Sequence, residues 1–246
     1  MRILKIKNAK IYNSTKRCFE EGALLCEDGR IVKLCKTLDD DDAVDFGGRY
    51  VIPGMVDVHT HGRADYDFDS ANIEQFHIMQ RAYAEAGTTT VMATIASAPM
   101  PQFENYIDNS REIYLNHMDS FGASIGGVHF EGRYLNPKKR GAHNIELLAP
   151  LDENELAGLL ERAKPMPVHI TAAVELDNGE AFTKKAVSMG ATVGLGHTEA
   201  TMDEARKAVE WGVSSFTHTF NAMSPIHHRN PGTMLASLLL DSAWSE

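Results

Sequence analysis

Two hydrophobic periods divide the chain. Residues 1 to about 52 keep the two-residue period of strands. Residues 3–11 alternate, and the runs 23–26 and 31–34 flank Asp28-Gly29, a two-residue hairpin signal. From Val51 onward one unit repeats: a helical pattern closed by Gly or Pro, then a short apolar, β-rich run. Ile73, Phe76, Gln80 and Tyr83 keep helical spacing up to Gly87, and residues 88–95 read as a strand. A helix over 103–115 precedes a strand over 124–130. Asp152 and Glu155 predict a capping box for a helix with Leu156, Leu159, Leu160 and Ala163 on one face, stopped by Pro165. A strand over 168–174, a helix over 181–189 closed by Gly190, and a strand over 192–195 follow. Thr201 and Glu204 cap a helix over 202–211, and residues 214–220 read as a strand.

Strands alternating with helices imply right-handed βαβ units and a parallel sheet. Six strands are expected, near 55, 91, 127, 171, 194 and 217. Polar residues close nearly every one: His59 and His61, Glu131, Glu175, His197 and His218. An open doubly wound sheet gathers ligands at one switch point, whereas contributions from many strand ends indicate an α/β barrel of the (β/α)8 TIM type. Six strands leave such a barrel incomplete. The expected organisation is therefore a small N-terminal β module over 1–52 and a C-terminally truncated barrel over 53–246. The first and sixth strands would then expose unpaired edges. These 246 residues alone are expected to be poorly soluble or partly unfolded.

Composition narrows the partners. A net charge of -10 argues against nucleic acid or an anionic membrane surface, though not against a small anionic substrate. No run approaches the ~18 apolar residues of a membrane span, and the first seven residues alternate without a signal-peptide core. Three cysteines (Cys18, Cys26, Cys35) without Cys-x-x-Cys spacing imply free thiols and a reducing, cytoplasmic setting.

The chemistry is carried by four stretches. Pro53-Gly54-Met55-Val56-Asp57-Val58-His59-Thr60-His61-Gly62 ends an apolar strand with two histidines on one face, as imidazole ligands to one metal require. In Gly127-Val128-His129-Phe130-Glu131-Gly132, Glu131 ends a buried strand, where a metal or a basic partner must offset the cost of its charge. His129 shares its face and reads as structural support. Gly196-His197-Thr198 and Thr217-His218-Thr219-Phe220-Asn221-Ala222-Met223 supply the other two. One histidine at a strand end reads as a satisfied core residue; four with a glutamate, at successive strand ends, read as a metal site.

Asp57-x-His59-x-His61-Gly62, His129-Phe130-Glu131-Gly132, Gly141-Ala142-His143, Gly196-His197-Thr198 and Thr217-His218-x-Phe220-Asn221-Ala222-Met223, in this order, resemble the N-acetylglucosamine-6-phosphate deacetylase family of the metal-dependent amidohydrolase superfamily. The resemblance implies Glu131, His197 and His218 as ligands of the main metal and His59 and His61 as ligands of a second. One or two divalent ions (Zn, Fe or similar) are thus implied. It also implies that His143, Asn221, Ala222 and Arg229 contact an amino-sugar phosphate, that acetate and glucosamine 6-phosphate are released, and that the full-length enzyme is a homodimer. Two departures stand out: Arg133 replaces the family's Pro beside the metal, and the family's catalytic Asp has no counterpart up to Glu246, so this chain is expected to be inactive. Another metal-dependent amidohydrolase, of the kind that bridges two metals with a carboxylated Lys on the fourth strand, is disfavoured because residues 168–175 contain no Lys. Glu175 reads as a substrate-side group or ion-pair member, His169 as interior, His77 and His117 as helix surface or packing residues, and His227 and His228 as loop neighbours of Arg229.

Overall fold

The computed structural model describes residues 2–116 and 122–246, and His117 lies outside the described residues. The chain divides into two units, Met1–Gly54 and Met55–Glu246. In the first, β1 (Ile3–Asn13) pairs antiparallel with β2 (Cys18–Glu27), which pairs with β3 (Arg30–Cys35). The turn between β2 and β3 places Asp28 at φ 45° and Gly29 at φ 80°, the doubly left-handed loop that an Asp-Gly hairpin favours. The short strands β4 (Val44–Asp45) and β5 (Tyr50–Val51) run parallel to β1. Ile6, Ala9 and Leu24 form the core of this unit. All three cysteines are free thiols.

The second unit is a curled sheet of seven parallel strands with helices between them. After β6 (Met55–Thr60), a small ribbon of β7 (Gly62–Arg63) and β8 (Tyr66–Asp67) leads into α1 (Ile73–Glu85). Asn72 and Gln75 form a capping box there that the spacing of apolar residues does not reveal. Then come β9 (Thr88–Ala96), α2 (Met100–Asn116), β10 (Ser124–Glu131), α3 (Glu153–Ala163), β11 (Val168–Ala172), α4 (Gly179–Ser188), β12 (Thr192–Leu195), α5 (Met202–Trp211), β13 (Ser215–Phe216), α6 (Thr233–Leu239) and β14 (Trp244–Ser245). The spatial order is β14-β13-β12-β11-β10-β9-β6, which is the chain order reversed. The main core lies between the outer sheet face and α2 to α5, with Phe103, Phe130, Tyr134, Leu156, Ile170 and Phe182 among its buried members. No helix among the described residues is long and apolar enough to cross a membrane.

The six expected strands are present, and three expectations need correction. Trp244–Ser245 pairs with β13 as a seventh strand, so the sheet edges are β6 and β14. Both edges carry exposed apolar side chains, Val56 at 63% and Trp244 at 82%. Strand pairing in β13 stops at Phe216 instead of Phe220, because His218 and Phe220 take positive φ values of 35° and 79° and the chain leaves the ladder. The cap of α3 is one-sided: Asp152 accepts from the N–H groups of Asn154 and Glu155, but the Glu155 carboxylate is engaged by Arg133 and Tyr134.

Candidate metal centre

Parallel register stacks the inward-facing residues of this sheet in layers. Cα pairing sets His129 of β10 opposite Thr94 of β9 and His169 of β11, and sets Glu131 opposite Ala96 and Thr171. Glu131 thus stands two residues closer to the C-terminal rim than the two interior histidines. Its side chain is buried, and five imidazoles converge on it. Oε2 lies 2.9 Å from His61 Nε2 and 3.6 Å from His143 Nε2; Oε1 lies 3.1 Å from His197 Nε2, 3.2 Å from His59 Nε2 and 3.3 Å from His218 Nε2. Burial pushes the Glu131 carboxyl up, but hydrogen bonding by the surrounding imidazoles, His143 first, outweighs it and holds the group far below the ordinary carboxylate range. The hydrogen bond to Glu131, opposed by burial, raises His61 above its usual value.

This donor set fits a divalent cation. His197 Nδ1 lies 2.7 Å from the Lys139 carbonyl, which only accepts, so Nδ1 carries the hydrogen and Nε2 of the neutral ring presents a lone pair. That lone pair faces both Glu131 Oε1 and, at 3.0 Å, His218 Nε2. Three ligand atoms of Glu131, His197 and His218 therefore lie within 3.3 Å of one another. Two further sets, His59-His61-Glu131 and Glu131-His143-His197, have ligand atoms within 4.8 Å of one another. Acceptors crowded this closely repel unless a positive centre lies among them.

Backbone geometry at the rim is strained beside the cluster. His197 sits at φ 48°, His218 at 35° and Ala222 at 49°; non-glycine residues in this region cost about 1–3 kcal/mol each. Tight packing beneath explains Gly196, where a Cβ would lie 2.6 Å from Thr217 Cβ and 2.9 Å from Thr171 Cγ2.

The cleft over Glu131 is lined by His59, His61, Ser97, His143, His197 and His218, among others. Asn221, Ala222 and Arg229 do not line it. Asn221 is exposed with Nδ2 3.4 Å from the His218 carbonyl, and Arg229 is exposed in the loop with His227 and His228, its N–H on His227 Nδ1. Glu175 accepts from Asn136 Nδ2 at 2.9 Å and from the Glu199 N–H at 2.8 Å, so it ties loops together and forms no ion pair among the described residues. His77 is half-buried on α1. Arg133 takes φ 66°, which Pro cannot adopt. Its guanidinium turns from the cleft onto Glu155 (3.1 and 3.2 Å) and the Ala98 carbonyl (3.1 Å). Ser97 and the Lys139 carbonyl, which orient histidines of this cleft, carry no motif. A main-chain oxygen and a lone serine leave no pattern in a sequence.

A curled parallel α/β sheet with clustered His and Glu side chains at its C-terminal rim defines a class, and residues 50–240 match the amidohydrolase family. The chain belongs to that family. A Lysinibacillus sphaericus N-acetylglucosamine-6-phosphate deacetylase is 29% identical, covering 99% of this chain and 62% of its own length. The Danio rerio deacetylase is 30% identical over 94% of this chain and 58% of its own. The Pasteurella multocida deacetylase structure aligns with a TM-score of 0.88 at 29% identity, over 99% of this chain and 64% of its own. A Mycobacterium smegmatis deacetylase mutant solved with N-acetyl-D-glucosamine-6-phosphate aligns with a TM-score of 0.87 at 26% identity, over 99% and 62%. The chain thus spans about three-fifths of the length of these relatives.

Proposed function

We propose that this cleft serves the metal-dependent hydrolysis of the acetamide of N-acetylglucosamine 6-phosphate, giving glucosamine 6-phosphate and acetate. The observation that carries the reading is the convergence of five imidazoles on one buried carboxylate, in a chain whose relatives bear the deacetylase name. Glu131, His197 and His218 would hold the main divalent ion, Zn, Fe or similar, and His59 with His61 would hold a second. When bound, such an ion supplies Lewis acidity toward the acetamide carbonyl and toward water.

The chain's own residues do the rest. Lys139 fixes the His197 tautomer through its carbonyl. His143, beside Glu131 in the cleft, donates a hydrogen bond to the acetamide oxygen as negative charge develops there. Asn221, Ala222 and Arg229 bind the sugar phosphate, for which a guanidinium suits bidentate contact; this requires the exposed loop carrying Arg229 to close over the cleft. A homodimer in the cytoplasm completes the reading, with free thiols and a negative net charge in accord with it.

The test is acetate release from N-acetylglucosamine 6-phosphate and from the unphosphorylated sugar by a zinc-loaded version of the protein of the relatives' full length, with Arg229→Ala beside the parent. Strong preference for the phosphorylated sugar, with KM raised about tenfold or more by Arg229→Ala, is expected. Equal turnover of both sugars would end the substrate assignment. Failure to retain a divalent ion would end the metal assignment independently.

A further inference from the structure

Two histidines touch Glu131 from neighbouring loops and are gripped from behind by chemically different atoms. Behind His197 stands a carbonyl, Lys139 O, at 2.7 Å. Behind His143 stands a hydroxyl, Ser97 Oγ, 3.0 Å from Nδ1. A carbonyl can only accept, so it selects the Nδ1–H tautomer of His197. A hydroxyl can donate or accept, and its other contacts decide which.

For Ser97 the other contact is the Arg133 main-chain N–H, which donates to Oγ at 2.9 Å. One lone pair is thereby taken, and the single hydroxyl hydrogen needs an acceptor. Among the described residues the one acceptor hydrogen-bonded to Ser97 Oγ is His143 Nδ1. Had His143 Nδ1 carried its own hydrogen, two donors would point at Ser97 and its hydroxyl hydrogen would have no protein partner. The neutral His143 ring therefore carries its hydrogen on Nε2, which faces Glu131 Oε2 at 3.6 Å. This contact matches in polarity: a donor toward a carboxylate.

The arrangement is built into the backbone. Arg133 at φ 66° aims its N–H at Ser97, and its side chain is anchored on Glu155 and Ala98. Gly132, at φ 141°, leaves room for the approach: a Cβ there would fall 2.5 Å from the Ser97 nitrogen. A proline at 133 would remove both the N–H and the positive φ.

We propose that Ser97, oriented by the Arg133 N–H, is a positioning residue that makes His143 a hydrogen-bond donor to the cleft and excludes it from the metal ligands. This deepens the metal-hydrolase reading of the same cleft. It sorts the two neighbours of Glu131 into one ligand, His197, and one donor, His143, although both have nitrogens within 4.8 Å of each other and of a Glu131 oxygen. The donor is then aimed before substrate arrives, which is what stabilisation of a developing oxyanion requires.

The decisive experiment reads tautomers directly. In the metal-free full chain labelled with 15N-histidine, long-range 1H–15N correlations distinguish Nδ1–H from Nε2–H rings, and His143 is assigned by its loss in His143→Asn. His143 is expected as Nε2–H and His197 as Nδ1–H. Ser97→Ala should abolish the single-tautomer pattern of His143 and leave that of His197, and Ser97→Thr should restore it. An Nδ1–H pattern for His143 in the parent, or an unchanged pattern in Ser97→Ala, overturns the proposal. A second arm measures Zn2+ affinity against a chromophoric chelator. His143→Asn and Ser97→Ala should stay within about threefold of the parent, whereas His197→Ala should fall more than about a hundredfold. Equal losses for His143→Asn and His197→Ala would make His143 a ligand and end the proposal. Should the parent take up no Zn2+, the metal reading falls while the tautomer result decides this inference alone.

Discussion

Two layers of histidine, an interior pair on β10 and β11 and a rim set at other strand ends and in a loop, obey different rules. In the interior layer every ring nitrogen is answered by the protein. His129 Nδ1 lies 2.9 Å from the Val58 carbonyl and Nε2 lies 2.7 Å from Thr171 Oγ1, which in turn meets Thr217 Oγ1 at 2.9 Å. His169 Nδ1 meets Thr192 Oγ1 at 2.7 Å, and Nε2 meets Glu246 Oε1 at 3.1 Å. In the rim layer, five imidazoles crowd a single carboxylate, and at least two nitrogens face each other at 3.0 Å. Burial does not separate the layers; saturation does. A buried histidine whose nitrogens are both answered by hydroxyl, carbonyl or carboxylate groups needs nothing further, whereas at the rim the Nε2 atoms of His197 and His218 face each other at 3.0 Å beside a carboxylate, an arrangement that a cation would relieve.

The comparison breaks most readily at the rim. His197→Ala or Glu131→Gln should weaken Zn2+ binding by more than about a hundredfold, read by chelator competition. A loss under tenfold would mean that the rim is as self-sufficient as the interior. Next comes the interior. His129→Leu leaves the Val58 carbonyl and the Thr171 hydroxyl without their partner, at a cost of about 3 kcal/mol. The thermal midpoint should then fall by roughly 6–12 °C; an unchanged midpoint would show that the interior network is dispensable. Gly196→Ala forces a methyl against Thr217 and Thr171, a cost of about 1–3 kcal/mol from overpacking, and denaturant midpoints would register it. The smallest effect sharpens the contrast: His61→Ala, in a side chain 45% exposed, should change stability by less than about 0.5 kcal/mol while lowering the number of metal ions retained.

Much of this was legible before any coordinates. The alternation of helical and apolar runs, with polar residues at the strand ends, pointed to a parallel barrel-type sheet, and the seven-stranded curled sheet agrees with that class. Glu131 and the His59-x-His61 pair announced themselves as polar groups closing apolar runs. The short strand β14 did not, because two residues of pairing make no period. In the N-terminal unit, the half-buried Asp40 pairs with Lys5, which holds its carboxyl below the ordinary value, and no hydrophobic period marks that contact.

What the sequence determined by itself was six of the seven strands of the main sheet and the identity of the polar residues near their ends, because the two-residue and 3.6-residue periods are local properties of the chain. Which histidines are complete and which are not was decided only by the tertiary structure. That distinction rests on partners far apart in sequence: Val58 for His129, Lys139 for His197, Ser97 for His143. Two of those partners act through main-chain carbonyls that every residue carries, and the third is one serine among many. Their effect comes from distance and direction, set when the strands and loops pack.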